Sequence, residues 1–263
     1  MGILNVTPDS FSDGGDWYAH DRAIRHGRQL LADGAQLIDV GGESTRPGIV
    51  RTDAEEELRR ILPVVRELAA EGAVLSIDTM RAEVAAECVA AGAAIVNDVS
   101  GGLADPAMLP TVAALGVPYV AMHWRAHSDE MQDLAHYVNV VTDVRDELAA
   151  RVDAALVAGV RPDRLILDPG IGFAKTGAHN WSILEHLDVL IALGFPILVG
   201  VSRKRFLGDL LGDEHGPRPP RERDDASAAL TTILALQGIW AVRTHSVRQH
   251  LDAVRVADRL SSR

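Results

Sequence analysis

Polar residues recur where short apolar runs end. Asn5 closes Ile3-Leu4, Asp39 closes Leu37-Ile38, and Asp78-Thr79 closes Val74-Leu75-Ser76-Ile77. Asn97-Asp98 follows Ile95-Val96, His123 follows Tyr119-Val120-Ala121-Met122, and Asp168 follows Leu165-Ile166-Leu167. Ser202-Arg203-Lys204-Arg205 comes after Ile197-Leu198-Val199-Gly200, and Arg243-Thr244-His245 after Ala241-Val242. A single polar strand end ordinarily caps the next helix. Capping does not explain the whole set, because Lys204, Arg243 and His123 are poor caps.

The set has two chemical halves. Asp78, Asn97 and Asp168 form the acidic and amide-bearing half. Buried carboxylates need donors. A flat heterocycle with a ring N–H beside an amino group offers two parallel donors to one carboxylate, and a neighbouring amide can give and accept along another edge. That half suits a guanine-like or pterin-like ring. Arg46, Lys204, Arg243 and His245 form the basic half, whose chemistry suits phosphate or diphosphate. No Ser or Cys stands beside a His as a nucleophile-base pair. The turns Gly41-Gly42 and Gly101-Gly102 would let backbone approach a ligand, a weak signal alone.

A repeating unit must position these groups. An amphipathic helix ends in Gly, and a short apolar strand follows. The helix-ending glycines are Gly34, Gly72, Gly92, Gly116, Gly159, Gly194 and Gly238. Gly at a helix C-terminus takes the left-handed conformation without a Cβ penalty. The strands are continuous apolar runs rather than alternating ones, as parallel strands buried on both faces require. Eight such units predict a closed (β/α)8 TIM barrel, an α/β fold, as one domain over 1–263. An open doubly wound sheet would carry a Gly-rich dinucleotide turn after its first strand. The turn from Asn5 to Gly15 lacks that spacing.

Local details are also predicted. Leu58, Ile61, Leu62, Val65 and Leu68 set the apolar face of the second helix, Thr52 and Glu55 a capping box, and Pro63 a kink or restart. The Gly212–Asp225 stretch reads as a surface loop between two helical pieces, with Arg218 to Asp225 solvated. The connections from Thr7 to Gly15 and Ser44 to Arg51 are long, as expected of lids that order over substrate. His20, His179 and His250 are expected to be solvated, and no metal-ligand spacing links the histidines.

Composition excludes several function classes. The 263 residues carry a formal net charge of −11, so general binding to nucleic acid or anionic membranes is not expected. The one cysteine, Cys88, rules out an intrachain disulfide and reads as a buried small hydrophobe. No apolar run reaches the roughly 18 residues of a membrane span, so a cytoplasmic location is expected. The abrupt start on a strand suggests that a short leader precedes it in the natural chain.

At these residues the chain resembles the dihydropteroate synthase family over essentially its whole length. The marks are Gly2-Ile3-Leu4-Asn5-Val6-Thr7-Pro8-Asp9-Ser10-Phe11-Ser12-Asp13-Gly14-Gly15 and Asp39-Val40-Gly41-Gly42-Glu43-Ser44-Thr45-Arg46-Pro47-Gly48. Shorter ones follow in order: Ser76-Ile77-Asp78-Thr79, Asn97-Asp98-Val99-Ser100-Gly101-Gly102, Leu167-Asp168-Pro169-Gly170-Ile171-Gly172-Phe173, Gly200-Val201-Ser202-Arg203-Lys204 and Arg243-Thr244-His245. The resemblance implies condensation of 6-hydroxymethyl-7,8-dihydropterin diphosphate with 4-aminobenzoate, giving 7,8-dihydropteroate and diphosphate in folate synthesis. It also implies Mg2+, a homodimer, and inhibition by sulfonamides, which imitate the aminobenzoate.

Roles follow by resemblance. Asp168 would pair with the pterin amide and amino group, and Asn97 and Asp78 would hold the other ring nitrogens. Lys204 would reach the ring oxygen and N5. Met122 and Phe173 would be apolar walls, and Arg243 would lie against the pterin face. His245, Arg46 and Asn5 would handle the diphosphate, Asn5 through Mg2+, while Thr45, Arg46 and Pro47 would shape the aminobenzoate pocket. Asp78, Lys204 and Arg243 would carry catalysis. Two positions depart from the family pattern. Ser246 stands where many members have Asp, and Arg205 either adds a cation near the aminobenzoate or points to solvent. A pterin-binding methyltransferase domain working with a corrinoid partner would need no diphosphate grip. A non-catalytic pterin-binding paralogue would be expected to lose Arg46, Lys204 or the first-loop motif, and all are present.

Overall fold

The computed structural model describes residues 1–7, 16–43, 52–126 and 134–261. Among them, strand and helix alternate from the first strand onward. The strands are β1 (Gly2–Asn5), β2 (Ile38–Gly41), β3 (Leu75–Asp78), β4 (Ile95–Asp98), β5 (Tyr119–Met122), β6 (Leu165–Asp168), β7 (Leu198–Val199) and β8 (Ala241–Val242). The helices are α1 (Asp16–Ala32), α2 (Ala54–Ala70), α3 (Ala82–Ala90), α4 (Met108–Leu115), α5 (Val140–Val157), α6 (Gly177–Glu185), α7 (Leu187–Ile191), α8 (Arg205–Leu210), α9 (Asp224–Leu236) and α10 (Val247–Ser261).

β1 to β6 pair in chain order, all parallel, and β7 pairs with β8. Two further parallel bridges complete the ring. Leu167↔Ile197 joins the β6 and β7 segments, and Gly2↔Thr244 joins the end of the β8 segment to β1. The predicted barrel is therefore present, with shorter seventh and eighth strands than the apolar runs implied. Closure removes the sheet edges that an open sheet would expose.

The strands are short and nearly all buried, which matches their unbroken aliphatic character. Ile95, Val120, Ile166 and Leu198 fill one layer inside the barrel. Outside it, the apolar helix faces pack in two groups, one built around β2 and α2 and one around β5, β6 and α5. The helix-ending glycines all sit at positive φ, as at Gly116 (φ 67°), which closes α4. Cys88 is fully buried, and burial pushes its thiol up to about 12, so it packs and does not react.

Three local expectations are corrected. The N-cap of α2 is Asp53, whose carboxylate accepts from Glu56 N at 2.8 Å, not Thr52 with Glu55. α2 also runs through Pro63 without a break. Proline removes the hydrogen bond to the carbonyl four residues back. That carbonyl, Arg59 O, lies 3.1 Å from His20 Nε2, so the ring replaces the missing donor. His250 is 2% exposed rather than solvated, with Nδ1 2.7 Å from Thr231 Oγ1.

Candidate active site

Register sets the upper level of the barrel. Asn5 pairs with Gly41, Gly41 with Asp78, and Asp78 with Asn97, so these four share one level at the C-terminal rim. Met122 pairs with Asp168 on the next two strands. Arg243 directly follows β8, and Lys204 lies in the connection after β7, immediately before α8. Catalytic groups of such barrels sit at this rim.

Asp39 is the hub beneath it. It is fully buried. Its Oδ2 accepts from Asn97 Nδ2 at 3.0 Å and from Arg243 Nε at 2.6 Å. Arg243 Nη2 donates to Asp78 Oδ2 at 2.7 Å. Because Nδ2 of Asn97 is committed to Asp39, its Oδ1 is left to accept from a guest. Arg243 is thus held by two carboxylates; burial works against its charge, but Asp39 and Asp78 together raise its already high pKa further. The sequence had grouped it with the phosphate-binding cations. The ion pairs place it instead within the acidic cradle.

Burial strains the remaining charges. Burial raises Asp78 to about 7 although Arg243 opposes it. Asp168 is raised to about 6 by burial, against the Gly170 N–H, Lys204, Arg243 and Lys175. Its Oδ1 accepts from Gly170 N at 2.7 Å. Burial lowers Lys204 to about 8, with Arg243 adding to the effect and Asp168 and Asp78 opposing it. Lys204 therefore faces both carboxylates across the rim. Its Nζ lies 4.1 Å from the centre of the Phe173 ring. A buried set of opposite charges with displaced pKa values marks a candidate site.

An apolar wall completes the cradle. Met122 packs with Met80 and Val99, and Phe173 and Trp124 lean on that group. His245 stands at the edge, with Nδ1 3.0 Å from Ser202 Oγ. Burial and the nearby Arg203 and Arg243 lower it to about 3, so it is neutral and brings a polar ring rather than a charge. Asn5 ends β1 on the same rim. Thr45 and Arg46, with Pro47 and most of both long connections, lie outside the described residues.

Some strand-end residues do other work. His123 turns away from the rim, with Nε2 2.9 Å from Glu147 Oε2 on α5. Asp98 folds its own turn, accepting from Ser100 N, Gly102 N and the Tyr119 hydroxyl. Gly101 and Gly102 serve packing rather than ligand approach, since side chains there would meet Met122 O and Leu109. Arg205 is 85% exposed on its side chain and points to solvent. Arg223, expected to be solvated, is buried and donates to Arg203 O at 2.9 Å. Asp224 grips the Arg203 guanidinium through two contacts of 2.8 Å. These bonds hold Arg203 at φ 60°, in the left-handed region, immediately before Lys204.

The sequence placed Asp39 among the strand-end polar residues but gave it no role in either half of the site, although it stands two positions before Gly41, and a strand period of two puts both on the barrel interior. Met80, Val99 and Lys175 were also missed, and no sequence signal marks their burial.

The pterin-binding enzyme model matches residues 1–245. The chain belongs to that family. The dihydropteroate synthase of Mycobacterium leprae (strain TN) is 55% identical over 97% of this chain and 91% of its own length. Among solved structures, Xanthomonas albilineans dihydropteroate synthase with 4-aminobenzoic acid aligns at a TM-score of 0.92 and 44% identity, over 100% of this chain and 93% of that one. The same enzyme in complex with 7,8-dihydropteroate aligns at 0.89 and 42% identity with the same coverage. Family membership with such coverage supports the resemblance noted in the strand-end motifs.

Proposed function

We propose that this chain joins 6-hydroxymethyl-7,8-dihydropterin diphosphate to 4-aminobenzoate, releasing 7,8-dihydropteroate and diphosphate. One observation carries the reading. Asp168, Asn97 and Lys204 converge at the mouth of a barrel that aligns over its full length with one solved in complex with 7,8-dihydropteroate.

The residues divide the work. Asp168 accepts from the ring N–H and amino group, and Asn97 Oδ1 and Asp78 take the other ring nitrogens. Lys204 donates to the ring oxygen and N5. Met122 and Phe173 exclude water from one side, and Arg243 underlies the ring. The C–O bond at the pterin methylene then breaks, and diphosphate departs with the bonding electrons. The methylene left behind is cationic, and the Asp78 carboxylate stabilises it. The aromatic amine forms the new C–N bond and loses a proton to water. No strong general base is required, because the amine becomes acidic once it is bonded. Thr45, Arg46 and Pro47 shape the aminobenzoate pocket, and His245 and Arg46 meet the diphosphate.

Mg2+ would sit at the same rim, where register sets Asn5 level with Asp78 and Asn97. Among the described residues, no group of three His, Cys, Asp or Glu could hold a metal ion. Mg2+ commonly takes few protein ligands and completes its shell with phosphates and water. Asn5 would supply its amide oxygen, and Mg2+ would neutralise the charge on the leaving diphosphate. A homodimer is supported by apolar side chains exposed on neighbouring helices, Ile233 and Leu236 on α9 and Val256 and Leu260 on α10, with Trp240 after α9. No helix among the described residues is long and apolar enough to cross a membrane. The deciding experiment is diphosphate release from the pterin substrate with and without 4-aminobenzoate and Mg2+. Release that depends on both supports the reading, and release indifferent to 4-aminobenzoate overturns it.

A further inference from the structure

Lys175 is 4% exposed and has no place in the chemistry above. Its three ammonium protons meet three acceptors. Nζ lies 2.8 Å from His123 Nδ1, 3.1 Å from Gly170 O and 3.1 Å from Phe173 O. An ammonium has three donors and no acceptor, so this set satisfies it fully; burial nevertheless lowers Lys175 to about 7, against Asp168 and Glu147, so its charge is complete only on the acid side of that value. Because His123 Nδ1 accepts, Nε2 carries the proton and donates to Glu147, which also binds Arg125. The amine beneath the rim is thus anchored through β5 to α5 on the outer shell.

The two carbonyls belong to the connection that presents the site. Gly170 also donates to Asp168 Oδ1, and Phe173 carries the ring that faces Lys204. The connection closes tightly. Gly170 has φ 65°, and a side chain there would collide with His123 O. Ala174 is held at φ 47°, which is rare for a residue with a Cβ, and it immediately precedes Lys175. Removing the ammonium would take the donor from Phe173 O beside the left-handed Ala174, while Gly170 O would keep only Phe173 N at 3.0 Å.

We propose that Lys175 is a positioning residue for the pterin. Its ammonium locks the Gly170–Lys175 turn in the arrangement that presents the Asp168 carboxylate and the Phe173 ring together, and it supplies a compensating charge to Asp168 from below. This rests on the reading that Asp168 binds the pterin. The charged and titratable groups facing Asp168 are Lys204, Arg243 and Lys175. Those facing Lys175 are Asp168, Glu147, Arg125, Lys204, His123 and His179. Of the three cations facing Asp168, Lys175 is the one bonded to the same turn.

The test uses the full chain and 6-hydroxymethylpterin as probe, titrated from pH 5 to 9 with wild type, Lys175→Met and Lys175→Gln. Circular dichroism and thermal melts accompany each, with KM for 4-aminobenzoate from turnover. Lys175→Met should lose roughly tenfold or more in pterin affinity at neutral pH. The midpoint at which affinity falls on the acid side should move to higher pH, because a cation that favours ionised Asp168 is gone. KM for 4-aminobenzoate should change much less than the pterin affinity, because the resemblance assigns that pocket to Thr45, Arg46 and Pro47 rather than to the turn. Lys175→Gln keeps two donors and should lose less affinity while showing the same midpoint shift. A folded Lys175→Met protein with unchanged affinity and midpoint overturns the proposal alone. Failure of both variants to fold also overturns it, since the lysine would then serve the fold rather than the site. Wild-type protein that binds no pterin contradicts the functional reading and this proposal together.

Discussion

Arg243 Nε lies 2.6 Å from Asp39 Oδ2, so the residue after β8 is tied past β1 to β2. The same guanidinium reaches Asp78 on β3 at 2.7 Å. One planar cation therefore ties β8 to β2 and β3, and Asp39 passes the constraint on to Asn97. The cradle is organised before any ligand arrives, which reduces the ordering cost of binding.

Arg243→Ala should leave two carboxylates without their cation. Breaking a buried ion pair by deleting one partner costs about 3 kcal/mol or more. Urea unfolding should show that loss, and kcat/KM should fall by at least ~100-fold. Arg243→Lys should recover part of the stability but little turnover, because a point charge cannot bond both carboxylates in the same plane. Equal kcat/KM in Arg243→Lys and wild type would show that the fork geometry is unimportant.

Asp168→Asn should separate stability from binding. The folded carboxyl titrates at about 6, above its unfolded value, so the folded chain binds more protons in between, and stability is lost as pH rises through that interval. An amide carries no such charge and can still accept from Gly170 N. The ligand-free variant should therefore be more stable at pH 7.5 by ~1–3 kcal/mol. Its affinity for 6-hydroxymethylpterin should be lower by roughly 10- to 100-fold. Calorimetric melting and titration of the same samples check both signs.

Pterin affinity should peak between two titrations. Asp168 must be ionised to accept two donors, so affinity falls as pH drops through about 6. Lys204 must be protonated to donate, so affinity falls as pH rises through about 8. Dissociation constants measured across this range should describe a bell. Loss of the alkaline limb in Lys204→Gln would assign that limb, and its persistence would remove Lys204 from the explanation.

Chelation should act on the diphosphate end alone. With EDTA, turnover of the diphosphate substrate should fall by at least ~10-fold. Affinity for 6-hydroxymethylpterin, which has no diphosphate, should not change. Asn5→Ala should raise the Mg2+ concentration needed for half-maximal turnover.

The barrel was legible because its signals are local and repeated. Gly34, Gly72, Gly92, Gly116, Gly159, Gly194 and Gly238 stop helices through backbone geometry, and each apolar run before a polar end became a strand. The rim positions of Asp78, Asn97 and Asp168 followed from the same period. What stayed hidden depends on pairing between distant residues. Nothing near Arg243 in sequence says that Asp39 will bind it, so residue type alone grouped it with phosphate-binding cations, while the family resemblance set it against the pterin face. Nothing near Lys175 says that it will be buried against His123. Pro63 read as a kink or restart because the donor that meets the carbonyl it leaves free, His20, comes from another helix.

The most direct test of the central claim is a crystal structure of this chain soaked with 6-hydroxymethylpterin. The ring should lie at the barrel mouth, with its amino group and ring N–H on Asp168, another edge on Asn97 Oδ1, and Lys204 at the ring oxygen. A pterin bound elsewhere, or at the mouth with Asp168 still facing only Gly170, would contradict it.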